Sequence, residues 1–343
     1  MKSVLKQVLG VDVDQKYLVV SLGRLMSTLE AQVYAQSRFN NGPKGFSELL
    51  RWVQSLTDPD MEVLYVMEAT GVYHEKLAYY LDQHCHAVSV VLPNKISNYF
   101  RTLDMKSIND KSSSEAIALF GLERKLDRWK RPNPGFKKLR QLCRERDQVI
   151  SEKTLIKNQL HAERAEAEPN PSSLSRMKKR LVLLNKQEKE IQAEITAFVK
   201  QDASISDRVN RLRTIPGVGL TTAVTVLAET NGFELIRNKR QLTSYAGLDV
   251  REKQSGTSVR SKPKISKRGN RYLRKALYMP SLSAIRMEGV FKVVFSRLVS
   301  RHGIKMKAVV AIQRKMMELM YVIDKSGTNY QIDYQISHAQ TAA

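Results

Sequence analysis

Three carboxylates stand where chain elements end: Asp12 in GVDVD, Glu68 at the close of the very apolar EVLYVME (62–68), and Asp110 ahead of SSSEAIALF. Alternation along a strand sends Asp12 and Asp14 to one face and Val11 and Val13 to the other. A carboxylate ending a buried strand is costly unless it is paired or bound to a cation, and Glu68 is followed by Ala-Thr-Gly, a tight exit into a helix. Singly, Asp12 reads equally well as a solvated strand end, and Asp110 better as a helix N-cap. Together, in a chain of formal charge +23, the acids suit divalent cations that activate a nucleophile and stabilise the leaving oxygen in phosphodiester cleavage. Hard oxygen ligands with retained waters favour magnesium.

A second constellation is QSGTSVRSKPKISKRGNRYLRK (254–275), which carries Arg260, Lys262, Lys264, Lys267, Arg268, Arg271, Arg274 and Lys275 with no acid among them. Its interleaved Ser, Gly and Pro do not make a charged helix face, so it reads as a phosphate-contacting loop. Within it Ser255 precedes Gly256, which lets a backbone approach a ligand closely; a serine nucleophile there needs neighbouring cations to balance its charge. TIPGVG (214–219) resembles the hairpin of helix-hairpin-helix modules, in which Gly217 and Gly219 would offer backbone N–H groups to phosphate.

The elements that must position these residues follow from period and punctuation. Residues 8–13, 17–22 and 31–39 read as strands, a helix follows with Phe46, Leu49, Leu50 and Val53 on one face, and 62–68 and 87–92 are strands separated by a helix from Tyr73 to Leu81, the last strand stopped by Pro93. The order β-β-β-α-β-α-β-α predicts an α/β domain with a mixed sheet, as in ribonuclease-H-like nucleases, over residues 1–130. RWKRPNPG (128–135) reads as a linker. A helical connector over 131–203 follows, with Leu139, Leu142, Val149, Ile156 and Leu160 on one seam, interrupted by Arg146 and Lys153. A second seam runs from Leu174 to Phe198 and is broken only by Glu188, with Ser172 or Ser173 as its N-cap. This pair is either an antiparallel hairpin or a coiled coil shared between subunits. Residues 204–343 form a mainly helical last domain with a polar tail. The fold class is therefore α/β plus α.

Length and charge set the outer bounds. A chain of 343 residues exceeds the usual size of a single core, and its positive field attracts phosphate backbones. No apolar run reaches the length of a membrane span and no signal-peptide pattern opens the chain, so a cytoplasmic location is expected. Cys85 and Cys143 are too few for a disulfide framework and read as buried free thiols.

At this point the residues resemble a family, the transposases of insertion-sequence family 110 with the related Piv-type DNA invertases. GVDVDQKYLVV, VMEATGVYHEKLA, NDKSSSEAIAL, TIPGVGLTTA, YAGLDVREKQSGTSVRSKPKISKRGNRYLRKALYMP and AVVAIQRKMMELMY carry the resemblance across nearly the whole chain. It implies an N-terminal domain like the Holliday-junction resolvase RuvC, a coiled-coil connector and a C-terminal domain with a catalytic serine. Mapped onto this sequence, Asp12, Glu68 and Asp110 are its metal-binding acids and Ser255 its nucleophile, joining DNA through a covalent serine–DNA intermediate. The resemblance also implies double-stranded donor and target DNA, a structured bridge RNA as guide, and a homo-oligomer, at least a dimer and as much as a tetramer, with the metal site of one subunit opposite the serine of another. One position departs: a fourth acid is expected one helical turn after the third, and Ser113 stands there. A neutral hydroxyl holds a metal weakly or through water, and Asp14 is the candidate substitute. The competing readings are a metal-dependent, structure-selective DNA endonuclease in which water attacks, and a non-enzymatic nucleic-acid scaffold.

Overall fold

The computed structural model describes residues 3–69, 71–103, 107, 109–234, 236–252, 254–255, 259–260 and 264–331, with the backbone alone at 254–255 and 259–260. Two compact units divide the chain, Met1–Arg131 and Pro132–Ala343.

The first unit opens with β1 (Val4–Val13), β2 (Tyr17–Met26) and β3 (Ala31–Asn40), then α1 (Pro43–Leu56), β4 (Val63–Glu68), α2 (His74–Gln83), β5 (Ala87–Val91), α3 (Pro93–Phe100) and α4 (Asp110–Glu123). The strand order is β3-β2-β1-β4-β5, antiparallel through the first three strands and parallel from β1 to β4 to β5. This is the mixed, ribonuclease-H-like arrangement that the element order predicts. Pro93 ends the strand as expected and also begins α3, where its fixed φ and missing N–H suit the first helical position.

Two layers of helix cover the sheet. Leu9, Val11 and Val13 of β1 pack with Phe46, Leu49, Leu50 and Val53 of α1 and Leu77, Ala78 and Leu81 of α2, the face that the three-four spacing marks out. On the other face Val8, Val66 and Val91 meet Ile117 and Leu122 of α4. This helix lies close on β1 because Gly10 has no side chain: a Cβ there would stand 2.3 Å from Ser114 O and Ala118 N. Ser21 and Ser114 share a hydroxyl hydrogen bond of 2.8 Å beside that contact, and both residues are buried.

The second unit is mainly helical: α5 (Pro134–Arg164), α6 (Pro171–Gln201), α7 (Ala203–Arg213), α8 (Leu220–Glu229), α9 (Lys239–Tyr245), four two-residue strands β6 (Val250–Arg251), β7 (Gln254–Ser255), β8 (Val259–Arg260) and β9 (Lys264–Ile265), then α10 (Arg271–Ala284), α11 (Val290–His302) and α12 (Lys305–Ser326). The polar breaks in the two seams meet one another. Arg146 donates to Glu188 at 3.3 Å and Lys153 pairs with the other oxygen of the same carboxylate; these cations hold Glu188 below the usual carboxylate range, the hydrogen bond from Lys153 foremost. Cross-pairs Glu163 with Ser173 and Lys138 with Glu194 make α5 and α6 antiparallel within one chain. The N-cap of α6 is Asn170, which accepts from Ser172 N and Ser173 N, and not either serine; Pro171 takes the first helical position, which leaves the cap to the residue before it. Cys143 is buried and its thiol is pushed up to about 11, chiefly by burial. Cys85 is exposed, contrary to expectation, because it lies at φ 59° in the turn after α2. The end of the polar tail, residues 332–343, lies outside the described residues.

One buried ion pair organises the core of this unit. The Glu229 side chain is 1% exposed and receives both Nε and Nη2 of Arg144, at 2.7 and 2.8 Å, together with Nδ2 of Asn270 at 2.6 Å. Asn270 in turn caps α10, so the carboxylate ties α5 and α8 to a residue within the basic segment. Removing the arginine strands a buried anion, whereas removing the anion leaves an arginine that is 41% exposed and reaches water. Arg144→Met is therefore expected to cost about 3–5 kcal/mol and Glu229→Gln about 1–2 kcal/mol. Urea unfolding of the two variants checks the order, and equal losses would show that the pair is not asymmetric.

Candidate active site

Register places the first two acids together before any side chain is considered. Val11 pairs with Met67 across the parallel β1–β4 ladder, so Asp12 and Glu68 are the next residues on adjacent strands running the same way. Both belong to the face that carries Val8, Val66 and α4. The start of α4 supplies Asp110. Its N-cap is Asn109, whose side chain accepts from Ser112 N at 3.0 Å while the Ser112 hydroxyl accepts from Asn109 N. Asp110 is thus the first helical residue, exposed and without capping duty, which corrects the plain reading of it as a cap.

The three acids share one electrostatic environment. The Asp12 carboxyl is pushed up to about 6 from 3.8, first by burial, then by the charge of Asp110 and then of Glu68, with Asp14 adding a smaller repulsion and a hydrogen bond from Val13 N opposing them. Asp14, just beyond the end of β1, is exposed. Ser113, at the position expected of a fourth acid, is half-buried on the first turn of α4 and its N–H donates to Asn109 O. Among the described residues no group of three His, Cys, Asp or Glu is drawn into a ready ligand shell. The acids lie within electrostatic range of one another, close enough for Asp110 and Glu68 to raise Asp12.

In the second unit Ser255 lies on β7 opposite Val259, in a short antiparallel pair with β8 whose other partners are Gln254 and Arg260. A second pair, β6 with β9, joins Val250 to Ile265 and Arg251 to Lys264. What reads as a loop in the sequence therefore contains two short antiparallel pairs, together called the arm, with the serine on the inner one. Lys262 lies outside the described residues, and the backbone alone of Arg260 is described. Lys264, Lys267, Arg268 and Arg271 are exposed. Arg274 differs from them: it donates to Ala246 O at 2.7 Å and to Gly269 O at 3.1 Å, so its guanidinium holds the base of the arm. Gly217, at φ 84°, packs against α10, where a Cβ would meet Pro280 O at 2.5 Å. Gly219 is the exposed N-cap of α8 with open space around it. Neutralising Lys264, Lys267 and Arg268 together is expected to weaken nucleic-acid binding broadly and to flatten its salt dependence by about one unit of slope per lost phosphate contact. Titrations at several salt concentrations read this, and an unchanged slope would show that these side chains do not touch phosphate.

Two residues that position the acids carry no chemical signal of their own. Gly10 admits α4 and Ser114 anchors it; only the alternation that puts Gly10 on the same face as Asp12 marks the glycine as a contact point.

Comparison with known proteins decides what kind of molecule this is. A transposase model for IS110 elements of the DEDD type matches residues 9–163, and a model described as the transposase IS116/IS110/IS902 family matches residues 209–295. The chain belongs to the IS110 transposase family. It is accordingly a DNA recombinase of the transposase class, with DNA as its substrate. The pilin gene-inverting protein of Moraxella bovis is 28% identical to this transposase over 290 residues, 83% of the chain and 87% of that protein. An uncharacterized 43.6 kDa protein of insertion element IS110 from Streptomyces coelicolor is 25% identical over 151 residues, 44% of the chain and 36% of that protein. Among solved structures, Thermus thermophilus RuvC in complex with a Holliday junction substrate aligns over 36% of the chain and 99% of its own length, at 10% identity and a TM-score of 0.27. The fold assignment rests on strand order and register instead. No helix among the described residues is long and apolar enough to cross a membrane.

Proposed function

We propose that this transposase cuts and rejoins DNA strands through a phosphodiester on Ser255, with Asp12, Glu68 and Asp110 as the acidic centre. The observation that carries the reading is the convergence of three carboxylates at the ends of β1 and β4 and the start of α4, where burial first, and then the charges of Asp110 and Glu68, push Asp12 up to about 6. Such a cluster is unfavourable by itself and becomes favourable around a cation. Its donors are all oxygen, which suits a hard divalent ion, magnesium in the cell. Asp12, Glu68 and Asp110 would hold that ion, with the Ser113 hydroxyl acting through water and Asp14 adding negative charge. When bound, the ion polarises the phosphoryl group and stabilises the leaving oxygen.

The serine step is a transesterification. The Ser255 Oγ–P bond forms as the bond from phosphorus to the sugar oxygen breaks, and the hydroxyl proton ends on the released sugar hydroxyl. One phosphodiester replaces another, so a second sugar hydroxyl can reverse the step and rejoin strands without an external energy source. The exposed cations Lys264, Lys267, Arg268 and Arg271 hold the backbone of the DNA near the arm. Donor and target duplexes are paired by a structured bridge RNA, and the working assembly is an oligomer, a dimer or tetramer.

Incubation with DNA carrying the element ends, magnesium and RNA transcribed from the flanking DNA tests the proposal. Joined strands and a detergent-resistant protein–DNA adduct are expected, both lost on omission of magnesium, with joining lost on omission of the RNA. Nicked product with neither adduct nor joined strands would establish the endonuclease in which water attacks.

A further inference from the structure

The row of residues that contains Asp12 continues past it to the edge of the sheet. Val19 stands opposite Asp12 on one side and opposite Arg38 on the other, so Arg38, Val19 and Asp12 lie in line across β3, β2 and β1 on the face covered by α4. Strand spacing of about 4.8 Å puts the Arg38 Cα roughly 10 Å from that of Asp12. Along this line lies a cavity of about 480 Å³, lined by Val19, Gln36 and Arg38 from the sheet and by Asn109, Asp110 and Lys111 from the start of α4. One of its walls is therefore an acid of the proposed catalytic centre.

The chemistry of the other walls is cationic and polar. The Arg38 guanidinium lies 3.8 Å over the Tyr17 ring. Among the described residues its partner is a ring and no carboxylate is paired with it, so the positive charge is not neutralised there. The ring contact holds the guanidinium in place and leaves N–H groups that can serve an anion. Lys111 brings a second exposed cation from the opposite wall. Gln36 donates to the Ser21 hydroxyl at 3.1 Å, the same hydroxyl that meets Ser114, so the floor of the cavity is tied to the helix that carries Asp110. A fixed guanidinium with an opposing ammonium is a seat for phosphate.

We propose that this cavity seats the phosphodiester next to the one that is cut, on the same DNA strand, with Arg38 as its principal contact and Lys111 opposite. Arg38 is a positioning residue: it holds the strand so that the next phosphate falls at Asp12, Glu68 and Asp110. The assignment rests on the reading of those acids as the cutting centre.

The test is binding of a fluorescent four-way DNA junction to the full chain in EDTA, where no chemistry occurs. Arg38→Gln is expected to lower the salt slope by about one unit and to weaken binding several-fold, and Lys111→Gln to act in the same direction. Arg38→Lys keeps the slope, because the charge remains. Tyr17→Phe keeps the affinity and Tyr17→Leu loses part of it. A neutral methylphosphonate moved one phosphate at a time along the strand should, at the seated position, weaken the parent protein more than it weakens Arg38→Gln, while at every other position the two proteins respond alike. An unchanged slope, or effects of methylphosphonate and Arg38→Gln that simply multiply at every position, would overturn the proposal. Because the readout needs neither metal nor cleavage, it stands if the acids turn out not to cut. Conversely, cleavage that depends on Asp12 without this coupling would sink the seat alone.

Discussion

Ser255→Ala is expected to remove the covalent protein–DNA adduct and strand exchange together, a loss of roughly 10³-fold or more, while DNA affinity stays within about twofold of the parent because no charge changes. The serine pairs with Val259 across β7 and β8, and the substitution leaves that backbone pairing intact. A denaturing gel of labelled substrate separates the outcomes. Loss of adduct with retained cation-dependent nicking means that water uses the acidic centre when the serine is gone. Adduct formed at the parent rate by the alanine variant would remove Ser255 from the chemistry.

Asp12→Asn is expected to act on rate and stability in opposite directions. Loss of one anionic ligand from the proposed cation site takes away about 3–5 kcal/mol of transition-state stabilisation, or roughly 10²–10⁴ in cleavage rate. Stability in EDTA should rise. Because the folded protein holds the Asp12 proton more tightly than the unfolded chain, the ionised carboxylate opposes folding. That penalty is absent below the unfolded value of 3.8, grows as pH rises to the folded value of about 6 and is complete above it. With allowance for partial solvent screening, the asparagine variant should gain about 1 kcal/mol at neutral pH, roughly 2–4 °C in Tm, and nothing near pH 3. Saturating magnesium should reverse the order, since a cation that binds the folded parent at a hundred times its Kd adds about 2.7 kcal/mol and the variant binds it poorly. Melting curves in EDTA and in magnesium at pH 3 and pH 7 read all of this. A variant less stable than the parent in EDTA would mean that Asp12 makes a favourable contact instead of carrying a repulsive charge.

The α/β unit was legible because its signals are local. Strand alternation at 8–13 and 17–22, the helical face at Phe46, Leu49, Leu50 and Val53, and the prolines at 132 and 134 each speak within a few residues, and the helices and strands lie where those signals point. The meeting of Arg146 and Lys153 with Glu188 was half-visible: each interrupts a seam, but only the fold shows that the interruptions face one another. Caps were harder. Ser172, Ser173 and Asp110 all have the residue type of an N-cap, yet an asparagine just upstream takes the role at both helices; at α6 the proline after it is the signal that decides, and at α4 two adjacent residues of capping type are not ranked by sequence. The least legible parts depend on contacts between distant segments. Gly10 shows its purpose only with α4 in place, Arg274 gives no sign in sequence that it will donate to Ala246 O, and Glu229 sits in an apolar helix with no hint that Arg144, 85 residues earlier, will pair with it. Of the proposed site, the three acids draw attention by their places at element ends, whereas the serine owes its standing to the family resemblance more than to its own chemistry.

The most direct measurement is the identity of the residue that carries DNA. Protein trapped on a suicide substrate in magnesium, digested with protease and nuclease and analysed by mass spectrometry, should show a nucleotide phosphate on the peptide containing Ser255 in the parent and none in Asp12→Asn. A phosphate on any other residue, or the same adduct in Asp12→Asn at the parent level, would contradict a mechanism in which the acids of the first unit and the serine of the second serve one reaction.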